Sequence, residues 1–227
     1  MSSTTSIIFS EDGSHTIHSE KFGVSYHSRH GAIQETDTVF IQSGLRYQVE
    51  QGLQNIRILE MGFGTGLNAL MTLMSEFASS VNLDYHTIEA YPIDLETAAA
   101  LNYSELLSAD EATSNMFLEM HRSKSGQKRA LKDNFTFTKH IVKLEEFISD
   151  EQFDIIYYDA FAPNAQEHLW TPETMQELAK LSNKGCALVT YCAKGSFKRA
   201  LRSADFKVEG LPGPIGKREM TRGIYLG

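Results

Sequence analysis

Three carboxylates and a run of alternating glycines stand at spacings that suit chemistry on a nucleoside-bearing ligand. Glu60-Met61-Gly62-Phe63-Gly64-Thr65-Gly66 follows a short β-branched-rich segment, 56–60, and precedes an apolar helical pattern that begins at Leu67. Glycine lets a backbone turn sharply and approach a ligand closely. The dinucleotide fingerprint Gly-x-Gly-x-x-Gly would need glycine at position 67, where Leu67 stands, and no Gly-Lys-Ser/Thr follows, which excludes a P-loop. Glu89 comes 23 positions after Gly66, at the end of the next predicted strand, where a carboxylate can accept both hydroxyls of a ribose. Asp159 closes a further predicted strand in Tyr157-Tyr158-Asp159-Ala160-Phe161-Ala162-Pro163, at the crevice where such sheets bind ligands. A carboxylate there can position an amine nucleophile, with Phe161 able to stack on a base and Pro163 stiffening the loop. The competing readings are an ordinary tight turn for the glycines, a surface carboxylate for Glu89, and a strand-end cap at Asp159 beside a core Phe161.

Positioning these groups requires an alternation of strands and helices. Strands are expected at 56–60, 83–88, 135–139, 153–158, 186–191 and 221–226, and helices at 67–78, 94–101, 144–148, 172–181 and 196–202. The 67–78 segment places Leu67, Leu70, Met71, Met74 and Phe77 on one face. Pro172 suits the first position of a helix capped by Thr171. Residues 16–18 and 38–42 read as extended and 45–51 as a short helix. The expectation is an α/β Rossmann-like fold with a mainly parallel seven-stranded sheet covered on both faces. Residues 1–53 form a β-rich extension packed on a catalytic domain at 54–227, with a helical insertion at about 102–134.

Composition narrows the classes. A chain of 227 residues suits one such domain. No apolar run approaches the ~20 residues a membrane span requires, and the first residues lack a signal-peptide pattern. Cys186 and Cys192 lie in one apolar run, which favours buried packing over a nucleophilic role for Cys192. The eight histidines show no His-x-x-x-His pattern, so no metal is expected. These features point to the cytoplasm. The net charge of −8 opposes bulk attraction to nucleic acid. Two stretches run against it: 194–222 holds eight Lys/Arg and three acids, and 121–143 holds seven and one. They are either solvated faces or a local phosphate-binding surface.

Glu60-x-Gly-x-Gly-x-Gly resembles motif I of class I methyltransferases. Several segments together are similar to one family, the methyltransferase half of MnmC, the tRNA 5-methylaminomethyl-2-thiouridine biosynthesis enzyme. They are the run from Tyr26 to Thr36, Glu60 to Asn68, Asp159 to Pro163, Leu169-Trp170-Thr171 and Gly216-Lys217-Arg218-Glu219-Met220, in order along nearly the whole chain. The resemblance implies an S-adenosyl-L-methionine cofactor and methylation of an aminomethyl group on the wobble uridine, in the anticodon region of tRNA. It puts Gly62, Phe63, Gly64, Thr65, Gly66 and Asn68 at the methionine end of the cofactor and Glu89 at the ribose. Tyr26 and Glu35 fall in the cofactor pocket or its lid, and Asp159 on the substrate amine. Lys217 and Arg218 become candidates for tRNA phosphate or for holding the site shut, or else form a solvated turn.

Two departures follow. Many relatives continue into a flavin-dependent oxidase domain; this chain stops at Gly227, so no flavin is expected. His140 stands where relatives often carry an acid near the adenine, and it is expected to stack or donate there instead. Two alternatives stay open: an aminopropyltransferase-like or other small-molecule amine transferase, and a non-catalytic nucleotide- or tRNA-binding module. Protein partners are not indicated.

Overall fold

The computed structural model describes residues 5–20, 23–27 and 30–227. Ser28 and Arg29, within the run from Tyr26 to Thr36, lie outside the described residues. The strands are β1 (Thr5–Phe9), β2 (His15–Ser19), β3 (Val24–Ser25), β4 (Asn55–Met61), β5 (Asn82–Ile88), β6 (Arg129–Lys132), β7 (Phe135–His140), β8 (Phe153–Tyr158), β9 (Ser182–Thr190), β10 (Phe206–Pro212) and β11 (Glu219–Tyr225). The helices are α1 (Ala32–Thr36), α2 (Tyr47–Glu50), α3 (Leu67–Met74), α4 (Leu95–Ala99), α5 (Tyr103–Leu106), α6 (Glu111–Arg122), α7 (Pro172–Lys180) and α8 (Gly195–Ser203), with a π-helix, Asp37–Arg46, joining α1 to α2.

The main sheet runs β10-β11-β9-β8-β4-β5-β7-β6. Strands β9, β8, β4, β5 and β7 are parallel. The pairs β10·β11, β11·β9 and β6·β7 are antiparallel. The six strands located from sequence are joined by two edge strands, β10 and, from the end of the insertion, β6, which makes eight where seven were expected. After β4 the chain first builds toward β5 and β7, then returns to β8 on the other side of β4. That reversal opens a crevice at the C-terminal ends of the central strands.

Residue alternation explains why both faces are covered. Ile58, Ile155, Tyr157 and Val189 point into one core with Phe40, Ala69 and Leu73. Their neighbours Leu59, Ile156, Tyr158 and Leu188 point into the other, with Met175, Leu178, Phe197 and Leu201 of α7 and α8. A third core joins Ile17 and Ala32 to Leu67 and Leu70 of α3 and to Tyr103 and Phe117. It places the small sheet β1-β2-β3 over α3, and His15 N–H donates to Asn102 Oδ1 at 2.8 Å.

Local chemistry sets most boundaries. Thr171 caps α7 by accepting from Thr174 N–H, with Pro172 at the first position. The 67–78 helix ends sooner, at Met74, because Ser75 turns extended and caps a 3-10 turn, Glu76–Ser80. Residues 38–42 are helical rather than extended. Val39, Phe40 and Ile41 have strand propensity, but their burial against the sheet decides the outcome. A Cβ on Gly44 would lie 2.9 Å from Tyr157 Cε1 and 3.1 Å from Val189 Cγ2, so glycine alone lets the π-helix lie this close to the sheet.

Candidate active site

Backbone hydrogen bonds lock the ends of the central strands together. Gly62 N–H donates to Ile88 O at 2.9 Å, Asp159 N–H to Met61 O at 3.1 Å, and Glu89 N–H to His140 O at 2.9 Å. Above them lies a cleft of about 670 Å³, its open mouth included. Its walls are the loop 62–65 with Leu67 and Asn68, residues 88–91 and 159–161, and Tyr26, His27 and Gln166. The loop needs its glycines: Gly62 has φ +90° and a Cβ there would sit 3.0 Å from Asp159 O, while at Gly64 (φ +52°) it would meet Tyr26 at 2.8 Å.

The three carboxylates occupy different environments. Glu89 Oε2 accepts from Gly64 N–H at 2.8 Å and Oε1 from Tyr91 N–H at 2.7 Å. Burial raises its pKa, and these two bonds oppose the rise. Each oxygen keeps lone-pair capacity for a diol in the cleft. Glu60 lies behind the loop, paired across the sheet with Thr87 and Tyr157. It is fully buried, and neither oxygen has a hydrogen-bond partner of normal geometry among the described residues. Burial, then the charge of Asp159, push its pKa well up, while nearby Thr87, Asn68 and Tyr85 oppose this in part. The neutral acid is favoured.

Asp159 is held by a relay. Thr36 Oγ1 donates to Asn68 Oδ1 at 2.9 Å, and Asn68 Nδ2 donates to Asp159 Oδ2 at 2.9 Å. No described hydrogen bond reaches Oδ1. Burial and then the Glu35 charge raise the Asp159 pKa to about 7, against Asn68 and Lys217. Glu35 is itself buried and ion-paired with Lys217. The Lys217 ammonium lies 4.1 Å from the Tyr191 ring centroid, and the Tyr191 hydroxyl donates to Ala160 O at 2.8 Å. Glu35 and Lys217 thus stand behind Asp159 as a neutralised pair.

Most residues expected from sequence gather here: Tyr26, Gly62, Phe63, Gly64, Thr65, Asn68, Glu89, Asp159 and Phe161 line the cleft. Gly66 (φ +76°) starts α3, and Glu60 supports the loop from below. His140 is the correction. Its ring stacks on His86 (centroids 5.4 Å) and its Nε2 lies 3.2 Å from His86 Nδ1, so the side chain leaves the cleft and only its carbonyl serves Glu89. The strand register sets this position, since His140 pairs with Ile88 of the cleft wall from β7, one strand further out. Pro163 lines an adjoining groove rather than the cleft, and Arg218 is exposed.

Sequence reasoning passed over His27, Gln166 and Lys139. His27 lines the cleft, bonded to Thr16 Oγ1 at 3.0 Å, and burial lowers its pKa to about 4. Gln166 Oε1 accepts from Phe161 N–H at 3.1 Å and fixes the loop after Asp159. Lys139 is a buried cation, donating to His121 O at 2.5 Å and lying 5.4 Å from the Phe63 ring. A lysine inside the apolar strand 135–140 was its signal. One group among the described residues has metal-ligating spacing: Asp84, His86 and Glu151. Asp84, however, already pairs with Lys128 at 2.9 Å and Arg57 at 3.5 Å.

This donor set fits S-adenosyl-L-methionine. The glycine loop leaves room that any Cβ would fill, Glu89 offers a diol acceptor, and Asp159 and Asn68 face the same cleft with polar atoms.

Comparison with known proteins agrees. Residues 108–225 match the family described as S-adenosyl-L-methionine-dependent methyltransferase. The chain is 33% identical, over 97% of its length, to the tRNA 5-methylaminomethyl-2-thiouridine biosynthesis bifunctional protein MnmC of Pseudoalteromonas atlantica, and the match covers 33% of that protein. Against the protein of the same name from Pseudomonas savastanoi pv. phaseolicola it is 32% identical over 92% of its length, again covering 33% of the relative. The chain therefore spans about a third of the length of the curated relatives it matches. A crystal structure of MnmC2 from Aquifex aeolicus superposes with a TM-score of 0.77 and 23% identity, over 99% of this chain and 71% of that one, a likeness of fold. With more than half of its residues matched by the family and its glycine loop, Glu89 and Asp159 converging on one cleft, the chain belongs to the S-adenosyl-L-methionine-dependent methyltransferases.

Proposed function

We propose that this chain methylates the amine of 5-aminomethyl-2-thiouridine at the wobble position of tRNA, in the anticodon region, giving 5-methylaminomethyl-2-thiouridine. The observation that carries the reading is Asp159: a half-buried carboxylate on the cleft, oriented through one oxygen by Asn68, with the other free of described partners. The relatives are named for the biosynthesis of 5-methylaminomethyl-2-thiouridine in tRNA, a product that carries a methylated amine. We assign residues 1–53 to an extension whose Tyr26 and His27 wall the cleft, and 54–227 to the catalytic domain; the cytoplasm is the compartment.

When bound, S-adenosyl-L-methionine supplies an electrophilic methyl group on sulfur. The chain's own residues provide position and a proton acceptor. The loop 62–66 and Asn68 hold the methionine end, and Glu89 takes the ribose hydroxyls. Asp159 Oδ1 accepts a hydrogen bond from the substrate amine and takes up its proton, which a group of pKa about 7 can do near neutrality. Phe161, at the cleft wall, offers a face to the base, and its ring packs edge-on to Tyr26 with centroids 5.1 Å apart. A polyamine would call for several free acids near Asp159, and Glu35 is already neutralised by Lys217.

The test is to incubate the protein with methyl-labelled S-adenosyl-L-methionine and tRNA carrying 5-aminomethyl-2-thiouridine, then digest and identify the labelled nucleoside. Label in methylaminomethylthiouridine is the expected result. Bound cofactor with no label in tRNA would overturn the substrate and turn attention to small amines.

A further inference from the structure

The two basic stretches lie at opposite edges of the main sheet, 194–222 around β10 and β11 and 121–143 around β7 and β6. In 121–143 the cations are mostly engaged within the fold. Arg122 and Arg129 pair with Glu119, Lys128 with Asp84, and Lys132 and Lys139 donate to the carbonyls of Leu73 and His121. Lys143 shares its hollow with Glu145 and Glu146. At the other edge, Lys198, Lys207, Lys217 and Arg222 are paired. No carboxylate among the described residues lies within ion-pairing distance of Lys194, Arg199, Arg202 or Arg218.

Two of these free cations share an open groove with Pro163 and Asn164, the residues that continue the Asp159 loop. Lys194 Nζ donates to Asn164 Oδ1 at 2.5 Å, a neutral partner that leaves its charge uncompensated. The Arg199 guanidinium folds back over the first turn of α8, 3.4 Å from where a Cβ on Gly195 would stand. Lys194, the cap residue of α8, supplies no side-chain acceptor to the first turn of the helix. Glu167 is the one acid among the lining residues. Asn164 follows Asp159 by five positions, a span of at most ~18 Å. We infer that this groove holds a backbone phosphate of the RNA whose modified base enters the cleft, contacted by Lys194 and Arg199. The inference rests on the tRNA reading above and adds to it the face on which the strand lies.

The experiment measures binding of aminomethylthiouridine-bearing tRNA across a salt series for the wild type, for Lys194→Gln/Arg199→Gln, and for Lys180→Gln/Lys184→Gln, at the end of α7 and the start of β9. Affinity for S-adenosyl-L-methionine, by calorimetry, reports on the integrity of each variant. The groove variant is expected to bind tRNA about tenfold more weakly, with a log–log salt slope shallower by about two. Its cofactor affinity should stay unchanged, and the control should match the wild type. Wild-type affinity and slope in the groove variant, or an equal loss in the control, would overturn the groove. A wild-type protein that methylates a small amine and binds no tRNA would overturn the tRNA reading, and the groove with it.

Discussion

Burial removes water from Asp159 while Glu35 repels its charge, and the two together hold its pKa near 7. Because the carboxylate must be ionised to take the amine proton, kcat/KM should rise with pH through about 7. Lys217→Gln removes a cation that lowers this pKa, so the rising limb should move to higher pH. Glu35→Gln, which removes the repelling charge and frees Lys217, should move it to lower pH. Opposite shifts in the two pH–rate profiles check the assignment. Stability has its own sign: the folded state binds the Asp159 proton more tightly than the unfolded chain does. It therefore loses stability as pH rises from the ordinary Asp value of about 3.9 through about 7. Asp159→Asn should accordingly raise Tm by a few degrees above that window and have little effect below it. It should also cut turnover at least tenfold, with cofactor affinity little changed. At this scale sequence was informative where one residue type is demanded, as at Gly62, Glu89 and Asp159. It failed at His140 because the direction of a strand-end side chain depends on register, and it passed over Lys139 because its partners, the His121 carbonyl and the Phe63 ring, are remote in sequence.

Among the elements, the π-helix Asp37–Arg46 is the one the residue pattern misrepresents. Its i−5 spacing is visible in side chains, with Ser43 Oγ donating to Thr38 O at 2.8 Å and Gln42 Nε2 to Asp37 Oδ1 at 3.2 Å. Val39 to Ile41 favour a strand locally, and only packing on Tyr157 and Val189 overrides that preference. Gly44→Ala should therefore destabilise the fold by about 1–3 kcal/mol, read as a lower midpoint in urea denaturation. Elements whose signals are local were legible. The Thr171-Pro172 start of α7 is one, and Thr171→Ala should cost about 1 kcal/mol in the same measurement. Strands β6 and β10 escaped notice because edge strands have one partner and carry mixed polar residues such as Lys132, Lys207 and Glu209.

For the whole molecule, an overall charge of −8 coexists with a small set of uncompensated cations at one edge of the sheet. Association with tRNA should then depend only moderately on salt, with a log–log slope no steeper than about −4, the number of such cations limiting the counterions released. A much steeper dependence would require contacts elsewhere on the surface. The mainly parallel sheet and its covering helices were evident from the alternation of apolar runs; the convergence of distant loops was not, since it depends on strand order. The Lys217–Glu35 pair has a consequence for synthesis. Its partners are 182 positions apart, and it closes the wall behind Asp159. On the ribosome, the glycine loop and Glu89 emerge well before Lys217, so Glu35 stays without its counter-charge until residue 217 has followed them. The wall behind Asp159 is therefore completed only after the glycine loop, Glu89 and Asp159 itself have been made.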